Sequence, residues 1–276
     1  MRVTCVASVW LTVIACSSPR SPSKTQAAPG LPRVVAHRGA SHEAPENTLA
    51  AFRRAWALGV EGVELDVHLT SDGHVVVIHD ASTKRTAGLD REVADLTLAE
   101  IKALDVGRWM GTSFEGERIP TIGEALATIP SSRTMFIEIK SGPETAPALA
   151  RAILADDPRG RGAQLAVQGF DPVALAAFAA ELPGAPAYWT VMPPLDEQDE
   201  PLPYPGSIID EAVRLGFPGV ALLHVSVDDT LIAAARGAGL EVDLWTLNEP
   251  TDLARWSGRG DIRWIETDRP DLVGSR

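Results

Sequence analysis

Three carboxylates stand where a buried strand is expected to be apolar. The run Gly62-Val63-Glu64-Leu65-Asp66-Val67-His68 alternates, so Glu64, Asp66 and His68 share one strand face and Val63, Leu65 and Val67 the other. A second run, Met135-Phe136-Ile137-Glu138-Ile139-Lys140, puts Phe136, Glu138 and Lys140 on one face. If these faces point into a closed interior, each unpaired carboxylate is heavily penalised. For any single acid, pairing with Arg or Lys, or exposure to solvent, is the simpler account. Three acids at apparent strand C-termini instead call for a hard divalent cation, Ca²⁺ or Mg²⁺, which takes oxygen ligands; no Cys/His cluster favours zinc.

Two histidines obey the same positional rule. His37 ends Val34-Val35-Ala36-His37, and His79 ends Val75-Val76-Val77-Ile78-His79, directly before Asp80. Beside a carboxylate cluster they can supply a general acid and a general base near neutral pH. His42, His68, His74 and His224 are read as ordinary hydrogen-bonded residues. The formal net charge of −12 lacks the basic footprint of a nucleic-acid binder. An anionic ligand must therefore meet its positive charge locally, from residues such as Arg38 and Lys140 or from a metal.

The elements that position these groups follow from periodicity. Strand-like runs occur at 33–37, 62–68, 75–79, 135–139, 164–167, 187–191, 219–223, 241–245 and 262–266, with amphipathic helical patterns between most of them. Asn47 or Thr48 can cap the first helix, which stops at Gly59. Alternating strands and helices at a length of 276 residues favour a TIM-type (β/α)₈ barrel over an open sheet. No G-x-G-x-x-G follows a strand and no Walker loop is present, which weakens nucleotide-binding readings. Nine strand-like runs exceed eight barrel positions, so one is misread or lies outside the barrel. The link Leu-Thr-Ser-Asp-Gly-His (69–74) is too short for a crossover helix, so the barrel is expected to be irregular and hairpin-like there. Residues 80–120 break the repeat and read as an insertion, with a short helix after Asp95 or Thr97.

Before the barrel domain (32–276) lie a signal-like stretch, 1–16, and a Ser/Pro-rich tether, 17–31. The ending Val13-Ile14-Ala15-Cys16 resembles a bacterial lipoprotein signal, which implies lipidation of Cys16 and a membrane-anchored, exported protein. A plain secretory signal cleaved between Ala15 and Ala28 is the alternative. Cys5 and Cys16 are the only cysteines, so the mature domain has no internal disulfide.

Taken in order, His-Arg-Gly with Pro-Glu-Asn-Thr, Glu64-x-Asp66, Thr-Ser-Asp-Gly, His79-Asp80, Ile-Pro-Thr-Ile-Gly-Glu-Ala-Leu, Glu138-Ile-Lys140, Trp-Thr-Leu-Asn and Thr-Asp-Arg-Pro resemble glycerophosphodiester phosphodiesterases, barrel enzymes related to phospholipase C. The resemblance runs over roughly 33–273. It implies metal-dependent hydrolysis of a small glycerophosphodiester to glycerol 3-phosphate and an alcohol. It also implies His37 and His79 as acid and base, and Glu64, Asp66 and Glu138 as metal ligands. Arg38 and Lys140 would face the phosphate, and Gln168, Phe170 and Trp245 the substrate. Glu46 and Asp80 are expected to orient Arg38 and a neighbouring group. Nucleic acid is not expected as a partner, and membrane association would come only through the N-terminal lipid. A phospholipase D-like enzyme acting on lysophospholipids or sphingomyelin is the second reading, and a non-catalytic binding lipoprotein the third. Two departures stand out: Leu247 in Trp-Thr-Leu-Asn, and Trp264 with Glu266 where the family usually has small or apolar residues. Glu266 is expected to bring another acid towards the rim.

Overall fold

A computed structural model describes residues 30–156 and 164–273. The candidate signal, Cys16 and nearly all of the tether lie outside the described residues. Leu31–Arg276 form one compact unit. Eight parallel strands close into a barrel: β1 (Arg33–Ala36), β2 (Gly62–Leu69), β4 (Thr134–Ile139), β5 (Leu165–Gly169), β6 (Ala187–Val191), β7 (Gly219–Leu223), β8 (Glu241–Trp245) and β9 (Trp264–Thr267). Closure comes from β1, which pairs with both β2 and β9. The ninth run is β3 (Val75–Val77), antiparallel to the end of β2, with Val67 opposite Val77 and Leu69 opposite Val75. It sits outside the barrel, as the short 69–74 link requires.

Several crossover helices are capped by side chains. In α1 (Leu49–Ala57) the Thr48 hydroxyl accepts from the Ala51 amide, so Thr48 is the cap. Helix α2 (Lys84–Ala87) and α3 (Leu98–Ala103) lie in the insertion, and α4 (Ile122–Leu126) follows it. Thr97 with Glu100 and Thr121 with Glu124 form reciprocal capping boxes on α3 and α4. Helices α5 (Thr145–Asp156), α6 (Pro172–Glu181), α7 (Ser207–Leu215), α8 (Asp229–Gly237) and α9 (Pro250–Ser257) complete the outer ring. They bury the outward strand residues, including Val63, Leu65, Val67, Ile137 and Val167. The insertion carries its own small core, Val93, Leu96, Ile101, Val106 and Ile119, against Val76 and Ile78.

Inward residues recur every second position and stack in layers. The floor is apolar and aromatic: Val35, Phe136, Ala166, Tyr188 and Trp264. The Phe136 ring lies 5.0 Å from that of Trp264, edge-on, and 5.7 Å from that of Tyr188. Gly219 makes room for Tyr188, because a Cβ there would come within 2.7 Å of the tyrosine ring. Two residues further along β4, β5, β6 and β9 the layer is polar, with Glu138, Gln168, Thr190 and Glu266, while Glu64 and Asp243 stand opposite Phe136 and Trp264 in the ladders; all six are buried. Glu266 therefore lies one layer below the rim position expected of it. Trp264 fills the floor.

Candidate active site

The mouth of the barrel, from this polar layer outward, collects the chemistry. One oxygen from each of Glu64, Asp66 and Glu138 lies within 4.8 Å of the others, and all three residues are buried. Strand pairing explains the cluster, since Asp66 stands beside Glu138 in the β2–β4 ladder. Lys140 Nζ is 2.7 Å from Glu138 Oε1 and 3.2 Å from Asp66 Oδ1, and Arg38 Nε is 3.4 Å from Asp66 Oδ2. The Arg38 backbone amide donates to Glu64 Oε2 at 2.9 Å, and Asn47 Nδ2 donates to Asp66 Oδ2 at 2.7 Å. Glu64 Oε1 is buried with no hydrogen-bond partner among the described residues.

These contacts divide the acids electrostatically. Burial, then Asp66 and Glu138, push the Glu64 carboxyl well above its usual range. Burial and Asp66 also raise Glu138. Burial pushes Asp66 upward too, but Lys140 and Arg38 together outweigh it and hold that carboxylate ionised. Two cations do not balance three carboxylates here. An all-oxygen donor set with an orphaned buried oxygen fits a hard divalent cation.

The two histidines flank the triad. His37 follows β1, and its Nδ1 is 2.7 Å from Asp268 Oδ1. His79 does not end a barrel strand, contrary to the expectation: β3 stops at Val77 and runs back along β2. The hairpin returns the chain to the triad, where the Ile78 amide donates to the Asp66 carbonyl at 3.0 Å. His79 Nδ1 is 2.7 Å from Asp80 Oδ1. Among the described residues neither Nε2 has a hydrogen-bond partner, and both rings line one cavity of about 180 Å³ with Arg38, Glu138, Lys140, Gln168, Phe170 and Trp245. All ten sequence-predicted barrel residues thus fall on the triad or on this cavity. His68 stays structural: its Nε2 is 3.0 Å from the His79 carbonyl and its Nδ1 is 3.1 Å from Ser141 Oγ.

The turn after β1 is shaped for this task. Arg38 and Asn47 both adopt positive φ, 57° and 58°. Gly39 (φ 83°) packs on α1 so closely that a Cβ would lie 2.7 Å from the Ala51 backbone. Glu46 Oε1 is 3.1 Å from Arg38 and so orients it. Arg85, from the insertion, grips Glu46 at 2.7 Å and Asp80 at 2.8 Å, linking the Arg38 and His79 supports.

Periodicity did not reveal Asp268, Asn47 or Arg85 as part of the site. Asp268 was present in Thr-Asp-Arg-Pro, and Asn47 in Pro-Glu-Asn-Thr, where Asn47 or Thr48 is expected to cap the first helix. Arg85 carried no signal, because a charge in an insertion looks like surface.

A parallel barrel whose C-terminal mouth joins a carboxylate triad, two cations and two carboxylate-held histidines defines a phosphoric diester hydrolase. Residues 37–272 match the glycerophosphoryl diester phosphodiesterase family, and the chain belongs to it. Among relatives, a glycerophosphodiester phosphodiesterase of Bacillus subtilis is 28% identical over 254 residues, covering 87% of this chain and 84% of the relative. One from Caldanaerobacter subterraneus subsp. tengcongensis is 54% identical over 110 residues, which is 40% of this chain and only 45% of that relative. Among solved structures, an Oleispira antarctica phosphodiesterase in complex with the product sn-glycerol-3-phosphate superposes with a TM-score of 0.78 at 28% identity, covering 88% of this chain and 95% of that one.

Proposed function

We propose that this enzyme hydrolyses a small, water-soluble glycerophosphodiester, such as glycerophosphocholine, to glycerol 3-phosphate and an alcohol. The observation that carries the reading is the matched pair of histidines, each with Nδ1 2.7 Å from a carboxylate and each lining the same cavity. Such carboxylates fix the ring and its tautomer, leaving Nε2 to handle protons. Glu64, Asp66 and Glu138 would hold a divalent cation, Ca²⁺ or Mg²⁺, which when bound supplies charge stabilisation at the phosphoryl oxygens.

In this mechanism Arg38 and Lys140 bind the anionic phosphate; both face the cavity and are held by acids on their inner side. Burial keeps His79 below its ordinary pKa against the pull of Asp66 and Asp80, so the ring is neutral near pH 7 and can take a proton from the nucleophile. His37 then serves as the donor to the leaving alcohol oxygen. Asp268 holds that ring at Nδ1. Phe170 and Trp245, with rings 6.1 Å apart and perpendicular, wall the outer part of the cavity. The relative bound to sn-glycerol-3-phosphate supports the glycerol end of the substrate. We further propose that the N-terminal stretch anchors the enzyme through Cys16 outside the cytoplasm. Metabolic labelling with a radiolabelled fatty acid, lost in Cys16→Ala, checks this.

The direct experiment incubates the barrel domain with glycerophosphocholine, with and without a chelator, and repeats it with His37→Ala and His79→Ala. Loss of about 10²–10⁴-fold in each variant is expected. Full activity in both variants removes the acid–base assignment, and full activity in chelator removes the metal.

A further inference from the structure

Buried polar atoms are nearly always hydrogen-bonded, and each exception calls for a cause. Four of them belong to residues that line the cavity: Gln168 Oε1, Thr190 Oγ1, Glu266 Oε1 and Trp245 Nε1 lack partners among the described residues, although the Gln168 and Glu266 side chains also meet each other. Gln168, Thr190 and Glu266 are 2%, 3% and 1% exposed, so bulk water does not satisfy them. They come from four different strands, with Gln168 beside Glu138 in the β4–β5 ladder. Their convergence on one cavity points to a ligand that completes them.

The donor and acceptor types select that ligand. Gln168 Oε1 accepts, Trp245 Nε1 donates, and the Thr190 hydroxyl does both. A phosphate only accepts and is repelled by the neighbouring acids. A trimethylammonium head group neither donates nor accepts. A hydroxyl donates and accepts at once, and so satisfies a mixed wall of this kind. Asp243, just beneath, faces Glu266 from β8 and backs its carboxyl.

We propose that Glu266, with Gln168 and Thr190, forms a hydroxyl-reading subsite for the terminal alcohol of the glycerol arm, and that Glu266 sets the preference for it. This rests on the phosphodiester reading above, since Arg38 and Lys140 fix the phosphate and so aim one arm at this wall. A carboxyl group at this position can pair with the hydroxyl, where an apolar side chain would leave it unpaired. A site built to hydrogen-bond a hydroxyl discriminates strongly against the analogue that lacks it.

The test compares binding of sn-glycerol 3-phosphate with 2-hydroxypropyl phosphate, which lacks only the terminal hydroxyl, by calorimetry at saturating Ca²⁺ or Mg²⁺. Wild type is expected to favour the glycerol compound by about tenfold or more. In Glu266→Leu and Thr190→Val, each checked for an intact melting transition, that ratio falls below about threefold. Equal affinities in wild type, or an undiminished ratio in Glu266→Leu, overturn the subsite. Turnover of glycerophosphocholine is recorded in parallel and separates the two readings. Discrimination in binding without turnover supports the subsite and removes the hydrolytic assignment, whereas turnover with no discrimination does the reverse.

Discussion

Asp268 Oδ1 lies 2.7 Å from His37 Nδ1, across 231 residues of sequence. The pairing of β9 with β1 makes this possible by setting Thr267 beside Ala36, one residue before each partner. Ser41 Oγ, at 2.9 Å, and Asn248 Nδ2, at 2.6 Å, complete the Asp268 carboxylate. Burial alone would raise its pKa, but His37, Asn248 and Ser41 together bring it down to about 2.

Asp268→Asn removes the carboxylate that fixes the His37 ring and its tautomer while keeping the shape. We expect kcat to fall about 10- to 100-fold with KM changed little. Steady-state kinetics on glycerophosphocholine check this, alongside thermal melting to confirm folding. An unchanged kcat would show that the aspartate does not act through the ring.

Arg85 supports both halves of the site at once, through Glu46 and Asp80. In Arg85→Ala the Asp80 charge loses its main counter-charge and acts more fully on His79. The acid limb of the pH–rate profile should therefore move to higher pH, with kcat/KM lower by about tenfold. A simple packing role would lower activity without moving that limb.

Divalent cation is expected to stabilise the fold, because Glu64 Oε1 and its neighbours lack sufficient counter-charge. At about 100-fold over Kd, binding adds about 2.7 kcal/mol, which at this size corresponds to a Tm rise of roughly 5–10 °C. Differential scanning calorimetry with and without chelator reads this directly. Glu64→Gln and Asp66→Asn should abolish the rise. If they melt with the same metal-dependent shift as wild type, the ion sits elsewhere.

The buried pair Asp243 and Glu266 makes stability depend on pH with an unusual sign. Burial raises Asp243 to about 7 and pushes Glu266 well above its usual range. Unfolded, both ionise in the usual carboxylate range near pH 4. Between about pH 4 and 7 the native state therefore holds more protons than the unfolded state, so this pair lowers stability as pH rises. Urea midpoints at pH 5 and pH 7.5 should differ less in Asp243→Asn than in wild type. That variant should gain about 1–3 kcal/mol at pH 7.5, where the charged form is penalised most.

The barrel was legible because its signals are local. Period-two alternation in 62–68 and 135–140 located the triad, and repeated strand–helix spacing located the ring. What the sequence hid depends on contacts between distant segments. The Asp268–His37 pair needs the β1–β9 register, and Arg85 needs the insertion to fold back over Glu46. Asn47 misled because the residue type that caps helices also binds carboxylates, and positive φ at this position hands the cap to Thr48. The height of Glu266 was misjudged because alternation tells inward from outward but not depth; depth comes from the stagger of strands around the ring.

The hydrogen-bonded ring closes without β3, yet β3 delivers His79. One of the two proton-handling groups is therefore carried on an appendage with its own small core, while the other belongs to the wall itself. The appendage can be lengthened, shortened or re-tilted over generations without reopening the barrel, and each change re-aims a single imidazole. The scaffold thereby separates what must stay constant from what evolution can tune.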